Sequence, residues 1–364
     1  MSTARERARV LDETPAPEIV RRVRDVLERG GLAALPTETV YGLAVRADDA
    51  AALARLVEAK DRPTDMALTW HAGDARALDA FPALSPMARR LAERYWPGPL
   101  TLVLPGVPSG LERVARDDWT GVRVPAHKAT SAILADLPFP VVMTSANRHG
   151  SAPATDADAV EAQFESAVEI VVDGGPSRMG EASSVLRLGR GRFELLRAGL
   201  FTPEQLRAVA GLKLAFVCTG NTCRSPMAEA LARELLAKRL MTDPKGLADF
   251  GFSVQSMGVQ AANGAPASQF SVDVLADDGI DLSGHRSRSA TLEETTRMDR
   301  VYGLTASHVD ELRRILPPGR SKLVLLLDPN GVNISDPIGG TRADYERTAR
   351  QIRAAIEARL PEWA

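Results

Sequence analysis

The chain of 364 residues has only two cysteines, Cys218 and Cys223, and both sit in one loop. A disulfide-stapled secreted fold needs more, so the expected setting is cytoplasmic, with reduced thiols. No apolar run approaches the roughly 20 residues that cross a bilayer, and no membrane contact is expected. The opening Met1-Ser2-Thr3-Ala4-Arg5-Glu6-Arg7 is charged, with no apolar stretch behind it, and does not read as a signal peptide. Excess charge of one sign is missing too. The formal net charge of -2 argues against a chain that lives on non-specific attraction to nucleic-acid phosphates, and no DNA partner is expected. Internal repeats and low-complexity segments are absent. The first half holds no catalytic triad, no metal-ligating cluster and no Gly-x-x-x-x-Gly-Lys-Ser/Thr loop.

What remains is an ordinary globular composition, 45% hydrophobic and 25% charged, at a length that suggests two domains. Helical patterns alternate with short β-rich runs, which favours α/β architecture. Helices are expected over Pro17–Arg29, Ala50–Ala59 and Ser85–Arg94. Strands are expected over Leu32–Leu35, Leu100–Leu104, Val122–Val124 and Val141–Thr144. A short helix opens at Thr202-Pro203-Glu204-Gln205 and ends at Gly211, and a buried strand begins afresh at Leu212. The domain boundary is therefore expected at 211/212, giving domains 1–211 and 212–364.

The sharpest signal follows that boundary. Leu214-Ala215-Phe216-Val217 leads into Cys218-Thr219-Gly220-Asn221-Thr222-Cys223-Arg224-Ser225, and then Pro226-Met227-Ala228-Glu229. This reads as a strand, a tight loop and a helix whose first turn tolerates Pro226, because the missing N–H had no helical partner. Backbone N–H groups converging at a helix N-terminus form an anion site by geometry and dipole. Cys218 at the start of such a loop, with Arg224 six positions on, is placed to act as a thiolate nucleophile. Arg224 can fork onto two phosphate oxygens, and Ser225 can donate to the thiolate. Asp336, in the turn Asp336-Pro337-Ile338-Gly339-Gly340, is a candidate general acid for the leaving group. A lone buried cysteine after a strand is more often a small hydrophobe; the joint spacing reverses that reading.

These residues resemble the phosphate loop of the low-molecular-weight protein-tyrosine-phosphatase family, and Asp336-Pro337 is similar to its general-acid loop. Gly279-Ile280-Asp281-Leu282-Ser283-Gly284-His285-Arg286-Ser287 matches a further stretch. The resemblance implies a doubly wound four-stranded parallel sheet and a cysteinyl-phosphate intermediate on Cys218. Asp336 would act as acid and then base, Arg224 as the phosphate clamp, and a phosphorylated protein as substrate. It also implies that Cys223 can cap Cys218 as a reversible disulfide. Thr222 replaces a bulky aliphatic residue, and no aromatic follows Asp336-Pro337. That pattern resembles the branch acting on protein phosphoarginine, with phosphotyrosine as the alternative.

The first half shows polar residues at strand ends and turns: Pro36-Thr37-Glu38-Thr39-Val40-Tyr41-Gly42-Leu43, Lys60-Asp61-Arg62-Pro63, Trp96-Pro97-Gly98-Pro99-Leu100-Thr101, Gly121-Val122-Arg123-Val124-Pro125 and Thr144-Ser145-Ala146-Asn147. Each alone is more often structural: cations suit a helix C-terminus, and Ser-Ala-Asn is an ordinary turn. Together, with Asp173-Gly174-Gly175-Pro176, Ser183-Ser184-Val185 and Leu196-Arg197-Ala198-Gly199, they resemble the YrdC-type threonylcarbamoyl-AMP synthase family. The resemblance implies a twisted open α/β sheet. It implies a reaction joining L-threonine, bicarbonate and ATP, with pyrophosphate released, that serves the tRNA-modification machinery. By family position Thr39, His71, Arg123 and Ser183 hold threonine, and Lys60, Arg62, Ser145, Asn147 and Arg197 face ATP. Magnesium is expected with the ATP phosphates, with no tightly bound cofactor and no protein metal site. Two departures stand out: Met66 cannot supply an amide to ATP, and Ala182 replaces a carboxylate. They leave a second reading, a non-catalytic nucleotide- or RNA-binding module attached to an active phosphatase. A third makes the Cys218–Cys223 pair a redox sensor.

Overall fold

The computed structural model describes residues 6–10, 14–61, 68–164 and 167–364. Arg62 and Met66 lie outside them. The chain divides into two compact units, Met1–Pro203 and Glu204–Ala364, so the division falls before the helix Pro203–Ala210 rather than after Gly211. The reason is local packing. Arg207 Nε donates to the carbonyl of Asp249 at 3.0 Å, a Cβ on Gly211 would lie 2.1 Å from the Gly251 backbone, and one on Gly251 would lie 2.0 Å from the Arg207 carbonyl oxygen.

In the first unit, ten strands among the described residues form one mixed sheet: β1 (Glu6–Arg9), β2 (Ala33–Leu35), β3 (Gly42–Arg46), β4 (Thr69–His71), β5 (Leu100–Pro105), β6 (Trp119–Arg123), β7 (Val141–Ser145), β8 (Ile170–Asp173), β9 (Ser184–Gly189) and β10 (Arg192–Arg197). Their order is β1-β8-β2-β3-β7-β4-β6-β5-β9-β10. Successive side chains of a strand point to opposite faces, and the sequence uses both. Ala34, Leu43, Val45, Val142 and Val171 pack with Ala52 and Leu56 of the helix Ala50–Lys60 and Phe164 of the helix Ala157–Phe164. Their neighbours Ala33, Leu35, Ala44, Val141, Met143 and Val172 pack with Val23 and Leu27 of the helix Pro17–Glu28 and Ile133 of the helix Lys128–Asp136. Apolar residues on both sides of the central strands thus place helices on both faces of the sheet.

The second unit is a parallel sheet ordered β12-β11-β13-β14, with β11 (Lys213–Cys218), β12 (Ser253–Gly258), β13 (Arg300–Gly303) and β14 (Val324–Leu326). Ala215, Val217 and Val301 face Val309 and Leu312 of the helix Ala306–Ile315. The alternate residues Phe216 and Tyr302 meet Trp363 of the C-terminal helix Arg342–Trp363, with ring centroids 5.5 to 6.2 Å apart. Trp363 Nε1 donates to Tyr302 Oη at 2.8 Å. Opposite faces of one strand carry different helices, which is the doubly wound arrangement. Among the described residues no helix is long and apolar enough to cross a membrane.

Candidate active sites

In the second unit the end of β11 and the start of the helix Arg224–Arg239 hold the phosphate loop. Asn221 takes the left-handed conformation (φ +53°) that turns the loop back. The loop's carbonyls are tied outward. Those of Cys218 and Thr219 accept from the N–H groups of Val259 (2.9 Å) and Gln260 (3.0 Å). That of Thr222 accepts from Ser268 N–H at 2.8 Å, and that of Asn221 from His285 Nε2 at 2.8 Å. A trans peptide holds its N–H opposite its C=O. Outward carbonyls therefore turn the N–H groups of Thr219, Gly220, Thr222 and Cys223 inward, onto one point.

Side chains complete the cradle. Cys218 Sγ lies 3.0 Å from Ser225 Oγ, and both residues are buried. Ser225 is itself fixed, donating to the Met257 carbonyl at 3.1 Å and accepting from Asn221 Nδ2 at 2.9 Å. Asn221 also donates to Ser256 Oγ at 2.9 Å and accepts from Arg288 N–H at 2.8 Å. Arg224 reaches Asp336 at 2.5 Å. Its side chain is 6% exposed and its Nε is buried with no hydrogen-bond partner, a donor that a bound anion would satisfy. Asp336 is 43% exposed and accepts from Ile338 N–H at 3.2 Å, so its carboxylate stands at the mouth of the loop. Cys223 is buried, with Sγ 3.6 Å from Tyr345 Oη, and both cysteines are free thiols. Thr222 Oγ1 lies 3.7 Å from Cys223 Sγ. Every residue proposed for this site converges on the loop. His285, Asn221's anchor, falls in the matching stretch Gly279–Ser287 but was given no role there, and Gly258, which backs the loop, carried no sequence signal of its own.

In the first unit a cavity of about 160 Å³ opens where several strand ends meet. Thr37, Thr39, Thr69, His71, Thr101, Arg123, Thr144, Ser145, Ala182, Ser183 and Arg197 line it. The β2–β3 loop is pinned by Thr37, whose Oγ1 donates to the Val40 carbonyl at 2.6 Å and lies 2.8 Å from Thr39 Oγ1. Arg123 donates to Glu38 at 2.7 Å, to Thr39 Oγ1 at 2.9 Å and to the Gly98 carbonyl at 3.2 Å. The turn that supplies Gly98 has a cis Trp96–Pro97 bond. Glu38 and Arg123 are 3% and 6% exposed, so this is a buried ion pair that sequence reading did not single out. Glu38 and Arg123 are 85 positions apart, so no local spacing joins them; only the fold does. Arg197 donates to the Ser183 carbonyl (2.9 Å) and hydroxyl (3.0 Å), and Ser183 lies 3.0 Å from Thr101 Oγ1. Desolvation, and then the nearby Arg123, lower the Arg197 pKa from its ordinary value.

His71 is buried beside Arg123. Desolvation first, and the guanidinium second, push its pKa down to about 3, so the ring is neutral at pH 7. Its Nδ1 faces the Thr69 carbonyl at 3.0 Å. A carbonyl only accepts, so the proton sits on Nδ1 and Nε2 keeps a lone pair. Thr39, His71, Arg123, Ser183, Ser145 and Arg197 are thus brought to one cavity. Lys60 and Asn147 are placed differently. Lys60 is fully buried, and its ammonium donates to Thr144 Oγ1 at 3.3 Å and to the Ser145 carbonyl. Asn147 accepts from Ser145 Oγ at 2.6 Å and donates to the carbonyls of Arg148 and Ser151, both at 3.0 Å. Both therefore shape the loop that presents Ser145.

A strand-to-helix anion cradle with a nucleophilic thiol marks the second unit as a cysteine-dependent phosphatase fold; the first unit is an α/β domain with a cationic cavity. Comparison with known proteins gives the families. Residues 25–199 match the Sua5/YciO/YrdC family model, described as telomere recombination. Residues 213–364 match that of low molecular weight phosphotyrosine protein phosphatase. A threonylcarbamoyl-AMP synthase of Bacillus subtilis is 36% identical over 216 residues, covering 58% of this chain and 62% of its own length. The chain thus spans under two thirds of that relative. The structure of a doubly substituted Sua5 from P. abyssi is 31% identical with a TM-score of 0.52, covering 65% of this chain and 75% of that one. A low molecular weight protein tyrosine phosphatase from T. tengcongensis is 33% identical over 40% of this chain and 96% of its own, with a TM-score of 0.36. The chain belongs to the Sua5/YciO/YrdC family over its first unit and to the low molecular weight phosphotyrosine protein phosphatase family over its second.

Proposed function

We propose that the chain carries two enzymes: an L-threonylcarbamoyl-AMP synthase in the first unit and a cysteine-dependent protein phosphatase in the second. For the synthase, the supporting observation is the convergence of Arg123 and Arg197 on one cavity with Thr39, His71 and Ser183. The reaction gathers a carboxylate, bicarbonate and a triphosphate, and guanidinium groups reduce their mutual repulsion. Arg123 pairs with the threonine carboxylate while Glu38 holds its other edge. The neutral His71 accepts a hydrogen bond without adding charge. The threonine amine displaces water from bicarbonate to give a carbamate, and the carbamate oxygen attacks the α-phosphorus as the bond to pyrophosphate breaks; magnesium bound to the ATP phosphates would neutralise charge on that leaving group. Lys60 and Asn147 position Ser145 toward the nucleotide, and the product serves the tRNA-modification machinery. Arg62 belongs to the same ATP set by family position.

The phosphatase reading rests on Cys218, Ser225, Arg224 and Asp336 meeting around inward N–H groups. Cys218 attacks phosphorus, Arg224 holds the equatorial oxygens, and Asp336 protonates the leaving group. Asp336 then takes a proton from the water that cleaves the cysteinyl phosphate. Phosphoarginine is the favoured substrate: the small Thr222 leaves room for a guanidinium, and Ile338, 69% exposed, offers no stacking wall. One observation favours phosphotyrosine instead. Phe270, 40% exposed, packs edge-on against Tyr345, which touches Cys223.

The first test is pyrophosphate release from ATP and bicarbonate with and without L-threonine. Threonine-dependent release is expected. Its absence, with phosphatase activity intact in the same preparation, would make the first unit a binding or regulatory module. Competing phosphoarginine and phosphotyrosine peptides decide the second substrate.

A further inference from the structure

One buried histidine beneath the phosphate loop has no part in the chemistry above. His308 lies in the first turn of the helix Ala306–Ile315 and is 4% exposed. Its Nε2 is 3.0 Å from Thr219 Oγ1, and its Nδ1 is 2.8 Å from Thr305 Oγ1. Thr219 is the loop residue that follows the nucleophile. We propose that His308 is a positioning residue for phosphate transfer, tying the Thr219 hydroxyl to Thr305 and so fixing the first inward N–H of the loop. This rests on the phosphatase reading of the site.

A buried histidine with both nitrogens satisfied is commonly just a core residue. Here one partner belongs to the anion cradle, and that separates the two cases. Neutral imidazole offers one N–H and one lone pair. A hydroxyl at each nitrogen satisfies both in either tautomer, so the two threonines and the ring form a directional chain. The ring itself is firmly placed, since Val309, the residue after His308, is buried against Ala215, Val217 and Val301. Thr219 itself is exposed, and its backbone is held through carbonyls alone, by Val259 N–H on that of Cys218 and Gln260 N–H on its own. His308 supplies the hold on its side chain. Its role is orientation rather than charge. Desolvation first and Arg224 second, opposed by Asp336, push its pKa down to about 4, so it is neutral at pH 7.

Without this tether the Cys218–Thr219 peptide is held through its carbonyl alone, by Val259 N–H, and its N–H drifts from the equatorial oxygens as charge develops. The test uses the full chain with p-nitrophenyl phosphate as substrate and inorganic phosphate as inhibitor. His308→Ala should lower kcat by roughly tenfold, the size expected for one misdirected hydrogen bond to a charged group, while KM changes by less than about twofold. Thr219→Val, at an exposed position that keeps the fold, should give the same loss. The double variant should be no worse than either single one, because both remove the same tether. His308→Gln, whose amide can still reach a hydroxyl, should recover most of kcat. Wild-type kcat in Thr219→Val, or multiplying losses in the double variant, would overturn the proposal even if His308→Ala failed to fold. An active wild type with an indifferent His308→Ala would overturn it alone. A wild type that releases no p-nitrophenol would overturn the phosphatase reading and the proposal with it.

Discussion

Gly258 ends β12 beside the nucleophile: its Cα pairs in register with that of Cys218. A Cβ placed on it would lie 2.5 Å from the Thr219 carbonyl oxygen, 2.8 Å from Asn221 N and 2.9 Å from Ala261 Cβ. The first two are backbone atoms of the phosphate loop, which cannot swing aside as a side chain can. Gly258 cannot retreat either. Its N–H donates to the Arg288 carbonyl at 2.9 Å, and its own carbonyl accepts from Ala290 N–H at 2.8 Å. Its φ lies outside the left-handed region, so alanine fits the backbone and the effect of Gly258→Ala is purely steric. Relieving the contact means moving the loop by roughly half an ångström to one ångström, and a misplacement of that order costs about 100-fold in rate. We expect kcat/KM for p-nitrophenyl phosphate to fall by about that factor. Pyrophosphate release by the first unit should not change. Gly284→Ala is the matched control, because no atom lies within 4 Å of its added Cβ. Overpacking of this kind costs roughly 1–3 kcal/mol of stability, so far-ultraviolet circular dichroism should still report a folded second unit. Gly258→Ala with kcat/KM within about threefold of wild type would refute the claim that the loop is rigidly backed.

Four further outcomes are expected. Cys218→Ser should abolish phosphatase turnover and leave threonine-dependent pyrophosphate release intact; loss of both would show that the two activities are not independent. Asp336→Ala should slow substrates with poor leaving groups most, since only they need the proton, and equal slowing across a leaving-group series would remove the acid assignment. Lys60→Met leaves the Ser145 carbonyl without the ammonium that now holds it, and should cut threonine-dependent pyrophosphate release by at least about tenfold; retained release would detach Lys60 from the site. His71 is expected to make the first unit acid-sensitive. Its pKa falls from 6.5 to about 3 on folding, so the unfolded chain binds the extra proton, and the stability present above pH 6.5 is lost as pH drops toward 3. His71→Gln should flatten that slope in thermal melts, and an unchanged slope would show that the ring is not buried neutral.

The phosphatase unit was legible because its chemistry is local in sequence. Strand, loop and first helical turn are consecutive from Leu214 to Glu229, so spacing alone carries the geometry, and β11 starts within a residue of the expected Leu212, with Ser225 and Pro226 in the helix's first turn as expected. What the spacing did not carry is the support from elsewhere: Gly258 from the neighbouring strand, His308 under Thr219, and the task of His285, which lies in a matching stretch, on the Asn221 carbonyl. Each acts across the fold on the loop, and an isolated glycine such as Gly258 or histidine such as His308 has no pattern to read. The division of the units was displaced for a similar reason. The helix Pro203–Ala210 looks like a terminal helix in sequence, and only its contact with Asp249 and Gly251 assigns it to the second unit.

The first unit shows the opposite case. Its cavity gathers Thr39, His71, Arg123, Ser145, Ser183 and Arg197 from the ends of strands scattered over most of the unit. No local spacing joins them, so each residue alone reads as structural and only the set points to function. The set still misleads in detail. Glu38, quoted in a motif but given no role there, is the buried partner that fixes Arg123, whereas Asn147, assigned to ATP by family position, spends its amide on the loop around Ser145. The physical difference lies in how each site meets an anion. The phosphatase uses backbone N–H groups, which any side chain at the position supplies provided the loop keeps its shape. The cationic cavity uses side chains, each of which needs its own buried support. Substitutions beside the phosphate loop should therefore act through shape, as at Gly258, and those in the cavity through lost charge and lost partners, as at Glu38. Glu38→Gln tests that contrast directly: it keeps the shape of the pair and removes its charge, and should weaken threonine binding while leaving the unit folded.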